Sequence, residues 1–96
     1  MYLPNKNYVN GRGREYRAKA HFEGLGYFVV RSAGSHSPAD LVAVKRGEVV
    51  LVQCKPPGGM SRDELVKFVA LAKRLSVKAI VYSNREDFKV VYVPPC

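Results

Sequence analysis

An acid, an amide and an amine are predicted to meet at the open end of a β-hairpin. The hairpin is indicated by two runs rich in β-branched residues, 40–45 and 48–55, which are joined by a short Arg-Gly turn. With a loop of either two or four residues, the numbers of opposed residues sum to 93, so Asp40 lies opposite Gln53. Side chains alternate between the faces of a strand, so Lys55 shares the face of Gln53. The three side chains therefore converge, provided that no one-residue bulge shifts the pairing.

The face that carries these three side chains is predicted to point into the protein. Its other members are all apolar: Val42, Val44, Val49 and Leu51. A polar side chain at the edge of a core requires a partner, because burying it alone costs free energy. The alternative to a functional role for these three residues together is a structural ion pair at the end of the strands.

A second carboxylate, that of Glu15, is predicted to head the buried stripe of the first helix. Ala18, Phe22 and Leu25 follow it at the spacing of one helix face. A glutamate near a helix N-terminus also stabilises the helix dipole by about 0.3–1 kcal/mol, which is the alternative interpretation of this residue.

Together these residue types are suited to metal-assisted cleavage of a phosphodiester. Hard oxygen ligands hold Mg²⁺, and the cation offsets the charge that grows on the phosphorus centre during hydrolysis. A lysine beside the metal can orient the attacking water or stabilise the phosphorane oxygens. The pattern therefore indicates a hydrolytic site as well as a structural one.

The remaining sequence predicts an α/β (α+β) domain in which helices pack on a central mixed sheet. The whole chain, 1–96, forms this one domain, and a basic, mobile N-terminal arm occupies residues 1–12. The order is α-β-β-β-α-β-β, with a helix at 13–25, a strand at 27–33, the hairpin, a helix at 61–75 and strands at 77–83 and 88–93. Ser61 and Glu64 form a capping box at the start of the second helix. The apolar stripe of that helix consists of Leu65, Phe68, Val69, Ala72 and Leu75.

The chain is basic along its whole length, with 16 lysines and arginines against eight acids and a net charge of +8. Such a surface favours a polyanionic partner, most often nucleic acid, over a basic domain without one. No apolar run approaches the ~20 residues of a membrane span, and the N-terminus lacks the apolar core of a signal peptide. Cys54 and Cys96 are too few for a disulfide framework. We therefore expect an intracellular protein with no membrane partner.

The order of several short motifs resembles the PD-(D/E)xK nuclease superfamily and, more narrowly, the archaeal Holliday junction resolvases. The matching text is GREYRAKAHFEGLGYFVVRSAGSHSPADLVAVKRGEVVLVQCK, residues 13–55. It contains a Glu that opens the first helix, an R-x-x-G-S loop, P-A-D, and a hairpin that ends in x-C-K. The resemblance extends over about residues 11–83 and implies a restriction-endonuclease-like fold. It also implies a homodimer that binds four-way DNA junctions and cuts two opposed strands with Mg²⁺ or Mn²⁺.

The resemblance also assigns roles to individual residues. Glu15 corresponds to the first-helix carboxylate of the family, and Asp40 to its central metal-binding aspartate. Lys55 corresponds to the catalytic lysine, and Ser35 to a loop serine near the scissile phosphate. Gln53 departs from the pattern, because it stands where most members have a catalytic, metal-binding glutamate. Its carbonyl oxygen can still bind a cation but brings no charge, so weaker metal binding is expected. The backbone carbonyl of Cys54, whose side chain is predicted to belong to the core, could serve as a further ligand.

Basic and loop residues around this site are predicted to contact DNA. They are Lys6, Arg12, Arg14, Arg17, Lys19, Arg31, Ser35 and His36. A generic solvated basic surface and a solvated loop histidine are the alternatives. On the second helix, Val66 and Ala70 lie away from the main apolar stripe, which indicates a dimer interface; isolated exposed apolar residues are the alternative.

We therefore expect a metal-dependent, structure-selective endonuclease that resolves four-way junctions by paired hydrolysis, in the cytoplasm and at the nucleoid. Two other hypotheses keep the same fold. One is a DNA-binding or architectural dimer whose catalysis is weakened by Gln53. The other is a related nuclease that acts on duplex or damaged nucleic acid.

Overall fold

Two helices flank one five-stranded sheet. The computed structural model describes residues 6–32, 37–84 and 87–95, with side chains from Gly13 onward. The elements are α1 (Lys6–Gly24), β1 (Phe28–Arg31), β2 (Leu41–Lys45), β3 (Glu48–Cys54), α2 (Arg62–Leu75), β4 (Lys78–Tyr82) and β5 (Phe88–Tyr92). The strands lie in the order β1-β2-β3-β4-β5, and all neighbours are antiparallel except β3 and β4. The predicted element order and mixed sheet are confirmed, and neither described helix is long and apolar enough to cross a membrane.

The first helix is longer than predicted. It begins at Lys6 and not near Gly13, so residues 6–12 belong to α1, and of the predicted arm only residues 1–5 lie outside the described chain. Gly11 and the two asparagines of this segment, Asn7 and Asn10, have low helix propensity, but propensity is a weak signal that the surrounding structure overrides. The sequence signal that the prediction passed over is Asn5, a residue type favoured just before a helix.

The C-terminal end of α1 corrects one member of its predicted stripe. Ala18 and Phe22 are buried as expected, whereas Leu25 is 55% exposed. The helix ends at Gly24, and the chain then turns through Gly26, which has a φ of +94°. Leu25 therefore no longer follows the helical periodicity on which the prediction depended.

The centre of the sheet is buried on both faces, one under each helix. On one face, α1 contributes Ala18 and Phe22 to a cluster with strand residues Val29, Leu41, Ala43, Val50, Val52, Ile80 and Tyr82. On the other face, α2 contributes Phe68 and Ala72 to a cluster with Ala39, Leu51, Ala79 and Val81. Residues 50–53 of β3 are consequently all buried, whichever face they point to.

The sheet face that was predicted to point inward is only partly covered. α2 packs against β4 and β5 and leaves the β1–β2 part of this face open. Val44 is therefore 37% exposed, and its partner Phe28 is exposed still further. Leu51 and Gln53, nearer to α2, are buried. The prediction is correct for the end of β3 that carries the polar side chains and wrong for the far end of β2.

The second helix has the predicted N-terminal cap but a narrower buried stripe. The Ser61 hydroxyl accepts a hydrogen bond from the Glu64 N–H at 3.1 Å, and the Glu64 carboxylate accepts one from the Ser61 N–H at 3.2 Å. Of the predicted stripe, Phe68 and Ala72 are buried, whereas Leu65 and Leu75 are exposed and Val69 is half-buried. The helix lies over the β4–β5 side of the sheet, so only the side chains along the middle of its inner face, Phe68 and Ala72, are buried in the core.

The register of the hairpin is the predicted one. The Cα partners of β2 and β3 extend from Leu41↔Val52 to Lys45↔Glu48, so opposed residue numbers sum to 93. The turn contains Gly47 with a φ of +78°, a conformation in which glycine is favoured. At the open end, the Asp40 N–H donates to the Val52 carbonyl at 2.9 Å and keeps Asp40 beside the last strand pair.

Candidate active site at the open end of the hairpin

A cleft of about 440 Å³ opens at the end of the hairpin, between α1 and the first turns of α2. The three side chains predicted to converge, those of Asp40, Gln53 and Lys55, all line it, and so does the second predicted carboxylate, Glu15. The other lining residues are Ser37, Pro38, Cys54, Met60, Glu64 and Lys67. The structure thus brings the predicted acid, amide and amine groups to one place.

Asp40 is a half-buried carboxylate with one oxygen held by the backbone. Its Oδ2 accepts a hydrogen bond from the Cys54 N–H at 2.8 Å. Burial raises the pKa of Asp40, and the nearby Glu64 carboxylate raises it further, whereas the Cys54 N–H and the charge of Lys55 act in the opposite direction. Because burial has the largest effect, the ionised Asp40 side chain gains stability from any cation that enters the cleft.

Gln53 is the buried polar residue of the cleft. Its side chain is 7% exposed, and its carbonyl oxygen, Oε1, is buried without a hydrogen-bond partner. Leaving a buried acceptor unsatisfied costs about 1–3 kcal/mol. An oxygen in this state, in the wall of a cleft beside a carboxylate, is suited to a bound cation or to a group that donates a hydrogen bond.

The oxygen donors of the cleft determine which cation it could hold. Within the described parts of the chain, no group of three His, Cys, Asp or Glu side chains lies close enough to hold a metal ion. The cleft offers a different set: the Asp40 carboxylate, the unpartnered Gln53 oxygen and, from α1, the Glu15 carboxylate. These hard oxygens fit Mg²⁺ or Mn²⁺, because such ions keep several waters and need few protein ligands.

Glu15 enters the cleft from α1 and is paired with Arg31 at the end of β1. The Arg31 Nη1 lies 3.3 Å from the Glu15 Oε1, and the Arg31 guanidinium also lies 5.5 Å from the centre of the Tyr16 ring. Both side chains of the ion pair are partly exposed. Arg31 was predicted to contact DNA, and its positive charge is partly offset by the Glu15 carboxylate of the cleft.

Lys55 is paired with Glu64, which the sequence had identified only as a helix cap. The Lys55 Nζ lies 2.6 Å from the Glu64 Oε2. The hydrogen bond from Lys55 and the backbone N–H of Ser61 hold the pKa of Glu64 below its ordinary value. A sequence signal for this contact existed, since a glutamate in the first turn of a helix can face the end of the strand that precedes it. Lys67, one turn further along α2, is a second cleft residue that the sequence analysis missed.

Of the predicted DNA contacts, Arg14 has a structural partner. Its Nε donates a part-buried hydrogen bond of 2.7 Å to the carbonyl of Ser83, just after β4. Arg17 is exposed on α1, and the Lys19 Nζ lies 3.9 Å from Glu23. The bond from Arg14 therefore ties α1, and with it Glu15, to the end of β4, an interior strand of the sheet.

Aromatic contacts hold the same helix on the sheet. The His21 and Phe88 rings are stacked with their centres 4.0 Å apart. The Phe22 and Phe88 rings are perpendicular, edge to face, with their centres 5.7 Å apart. These contacts lie between α1 and β5, so α1 is held at more than one point along its length.

Four of the predicted DNA-contact residues have side chains outside the described part of the structure. Ser35 and His36 lie outside the described residues, as do the side chains of Lys6 and Arg12. Ser37, two residues after Ser35, does line the cleft, and its hydroxyl contacts the backbone of Ala39, donating to the carbonyl at 2.8 Å.

Cys54 supplies backbone, not thiol chemistry, to the site. Its side chain packs against the α1 cluster, in agreement with the predicted core position on the face opposite Gln53. Burial raises the pKa of its thiol to about 12, and the carboxylates of Asp40 and Glu15 contribute to the increase. The thiol therefore stays protonated at neutral pH and is a poor nucleophile.

Comparison with known proteins defines the class and then the family. The mixed sheet and the position of the cleft are consistent with the PD-(D/E)xK class of proteins. Residues 6–92 match the archaeal Holliday junction resolvase (Hjc) family. Because this match covers most of the chain, the chain belongs to that family of DNA nucleases, and the prediction from its motifs is confirmed.

A solved structure supports the fold. The chain is similar to Hjc of Archaeoglobus fulgidus, a Holliday junction resolvase from an archaeal hyperthermophile, with a TM-score of 0.67 and 20% sequence identity. The alignment covers 88% of this chain and 72% of that chain. Direct comparison of the sequence with curated proteins finds no match.

Proposed function

We propose that this protein is a metal-dependent endonuclease that resolves four-way DNA junctions by hydrolysing one phosphodiester in each of two opposed strands. The observation that carries the proposal is that Asp40, Gln53, Lys55 and Glu15 line the same cleft, in a chain of the junction resolvase family. The net charge of +8 supports a polyanionic substrate. Because the proposed substrate is DNA inside the cell, we also propose a location in the cytoplasm, at the nucleoid.

The residues of the cleft divide into those that hold a metal and those that act on phosphate. Asp40, Gln53 and Glu15 would hold Mg²⁺ or Mn²⁺, with the Cys54 carbonyl as a further ligand, and the ion would offset charge on the phosphorane. The bond from the Cys54 N–H fixes the orientation of the Asp40 carboxylate before any ligand binds. Lys55 presents an ammonium group that can orient the attacking water or stabilise a phosphate oxygen.

Contacts with the DNA backbone are proposed for the basic and loop residues predicted from the sequence and for Lys67, which lines the cleft. Arg17 and Lys19 are at least partly exposed on α1, and Lys67 adds positive charge from α2. Lys6, Arg12, Ser35 and His36 keep the roles proposed from the sequence. Arg14 and Arg31 are proposed to act on DNA with their remaining donors, since each already bonds within the protein.

The direct test is cleavage of a labelled four-way junction by the purified protein in Mg²⁺, in Mn²⁺ and in EDTA. We expect paired nicks in opposed strands, dependent on either metal, with duplex and single-stranded DNA of the same sequence cut much more slowly. Equal cleavage of duplex or damaged DNA would favour the related-nuclease hypothesis. No cleavage in either metal would contradict the proposal.

Paired cleavage requires two active sites, and we propose that the exposed apolar side of α2 forms the interface of a homodimer. Val66 is 57% exposed, Ala70 is exposed, and with Leu65, Val69 and the stem of Lys73 they line a shallow groove on α2. An apolar groove of this kind is typical of an interface. A two-fold axis through it would present two identical sites to a symmetric junction.

Replacing Val66 with glutamate is expected to convert the dimer to a monomer, because a charge would be buried between the two copies. Glutamate is a good helix former, so the fold should be retained. The measurement is molar mass by sedimentation, together with the fraction of junctions nicked in both strands. Val93→Glu, at a valine that is 61% exposed after β5, is the matched control and should remain dimeric. A dimeric Val66→Glu variant, or a monomeric wild type, would contradict this interface.

The binding-only hypothesis is favoured by one observation: residue 53 is an uncharged glutamine, and no three acidic side chains of the described residues lie close enough together to hold a metal ion. It expects the wild type to bind junctions tightly without cutting them in any metal. Replacing Gln53 with glutamate would then create cleavage activity in a protein that has none. Under the nuclease proposal, by contrast, the wild type already cleaves junctions.

A further inference from the structure

We propose that Glu64 is a positioning residue of this cleft, which holds the ammonium group of Lys55 at the mouth of the site from the first turn of α2. This inference rests on the proposed nuclease function and adds a residue to it. It concerns a contact between the end of β3 and the N-terminus of α2, elements that are separated by the loop 55–61.

The contact is short and both of its ends are anchored. The Lys55 Nζ lies 2.6 Å from the Glu64 Oε2, while the other carboxylate oxygen, Oε1, accepts the N–H of Ser61 at 3.2 Å. On the strand side, the Lys55 N–H donates to the carbonyl of Tyr82 in β4 at 3.0 Å. Glu64 therefore connects the capped end of a helix to a lysine whose backbone belongs to the central sheet.

A lysine in this position needs such a partner because its side chain is long and flexible. The free side chain of a lysine samples many rotamers, and fixing it costs conformational entropy. The strand determines only where the Cα of Lys55 lies, and the bond to Glu64 determines where the Nζ lies. The backbone N–H of Ser61 fixes the orientation of the Glu64 carboxylate in turn, so the ammonium group is already in position when the substrate binds.

The charges around the ammonium group support this assignment. Asp40 lies in the same cleft and is engaged by the Cys54 N–H, and Gln53 is neutral. Lys55 makes its short ion pair with Glu64, not with the aspartate. Asp40 is thereby left for other ligands, and Glu64 does not need to bind the metal itself.

The decisive variant is Glu64→Gln, because glutamine also accepts the bond from Ser61 and preserves the capping box while removing the charge. We expect the single-turnover rate of junction cleavage to fall about 10- to 100-fold, as for a misplaced catalytic group. The Kd for the junction should be unchanged or lower, since the variant removes a negative charge from the cleft. The Kd for Mn²⁺, measured by calorimetry, should also be unchanged. A variant that merely failed to fold would show a lower cleavage rate, weaker junction binding and weaker Mn²⁺ binding together.

The matched control is Ser61→Ala, which removes half of the capping box and leaves the ion pair in place. It should lower the melting temperature of the protein and leave the cleavage rate unaltered. An equal loss of rate in both variants would show that Glu64 acts only through helix stability and would overturn the proposal. So would a Glu64→Gln rate within about twofold of wild type, or a loss of Mn²⁺ binding, which would make Glu64 a metal ligand.

A readout independent of cleavage separates this inference from the proposed function. The free amine of a lysine attacks the acyl carbon of an acetylating reagent and displaces its leaving group, so an ammonium group engaged by a carboxylate reacts slowly. Mass spectrometry after brief acetylation should show Lys55 modified several-fold faster in Glu64→Gln than in wild type or Ser61→Ala. An inert wild type with this difference would refute the nuclease proposal but not the hold of Glu64 on Lys55. Equal acetylation in all three proteins would refute the hold itself.

Discussion

Replacing Asp40 with asparagine is expected to lower the rate of junction cleavage by at least about 100-fold, because the variant removes a preorganised charge from the site. The same change is expected to raise the melting temperature at neutral pH. Asparagine can still accept the bond from the Cys54 N–H, which is made to Oδ2 at 2.8 Å in the wild type. What disappears is the cost of keeping an ionised carboxylate half-buried in a cleft without a cation.

The direction of the stability change follows from the pKa of Asp40, which burial raises above its ordinary value of 3.8. A carboxyl with a raised pKa binds its proton more tightly in the folded state than in the unfolded state. It therefore costs the fold nothing below about pH 3.8, and the cost grows as the pH rises through the raised pKa. The advantage of Asp40→Asn in the free energy of unfolding should appear over this range and then stay constant.

The measurement is the melting temperature of both proteins from acidic to neutral pH, with and without Mg²⁺. A difference of about 1 kcal/mol would shift the melting temperature by roughly 4–8 °C in a domain of this size. Mg²⁺ should raise the melting temperature of the wild type and not that of the variant, because only a ligand that binds the folded state stabilises it. Asp63→Asn, at an exposed acid of the first turn of α2, is the control and should cut normally. A variant that cleaves as fast as wild type, or that melts at a lower temperature at pH 7, would contradict this account.

Replacing Gln53 with glutamate is expected to tighten Mn²⁺ binding by at least about tenfold. One unit charge at about 4 Å contributes about 4 kcal/mol per unit of cation charge at an effective dielectric constant of 20, before desolvation is subtracted. The side chain that would carry the new charge is 7% exposed, so it would be desolvated and close to Asp40. Without metal, we therefore expect Gln53→Glu to unfold at a lower temperature than wild type, and with Mn²⁺ to recover.

The control for this prediction is Gln53→Met, which keeps the length of the side chain and removes its oxygen. Because the wild-type Oε1 is buried without a partner, the methionine variant should be at least as stable as wild type in the absence of metal. It should also bind Mn²⁺ more weakly than wild type. Calorimetric titration of the three proteins gives both comparisons. Equal Mn²⁺ affinity in all three would show that residue 53 is not a ligand.

The hairpin and its polar end could be derived from the sequence because the interactions that specify them are local. Two β-branched runs and a Gly-containing turn specify a register, and the observed pairing of Leu41 with Val52 is the predicted one. Alternation of side chains then determines that Gln53 and Lys55 share a face. For Glu15 the sequence predicted only the buried side of its helix, marked by Ala18 and Phe22, because its approach to the hairpin depends on how α1 packs on the sheet.

Other features required contacts that are distant in the sequence. The bond from Arg14 to Ser83 spans 69 residues, and no pattern near Arg14 distinguishes this arginine from one that faces DNA. The narrow stripe of α2 likewise depends on where the helix lies on the sheet, so Leu65 and Leu75 fit a buried helix face and are nonetheless exposed.

The sequence by itself determined the family, the element order and the three side chains at the open end of the hairpin, because short-range periodicity and turn chemistry specify each of them. Only the tertiary structure decided which partner each charge has. It paired Lys55 with Glu64, paired Arg31 with Glu15, and left the Gln53 oxygen buried without a donor. The physical reason is that an ion pair or an unsatisfied acceptor depends on positions within a few ångströms, and those positions are set by how the helices pack on the sheet.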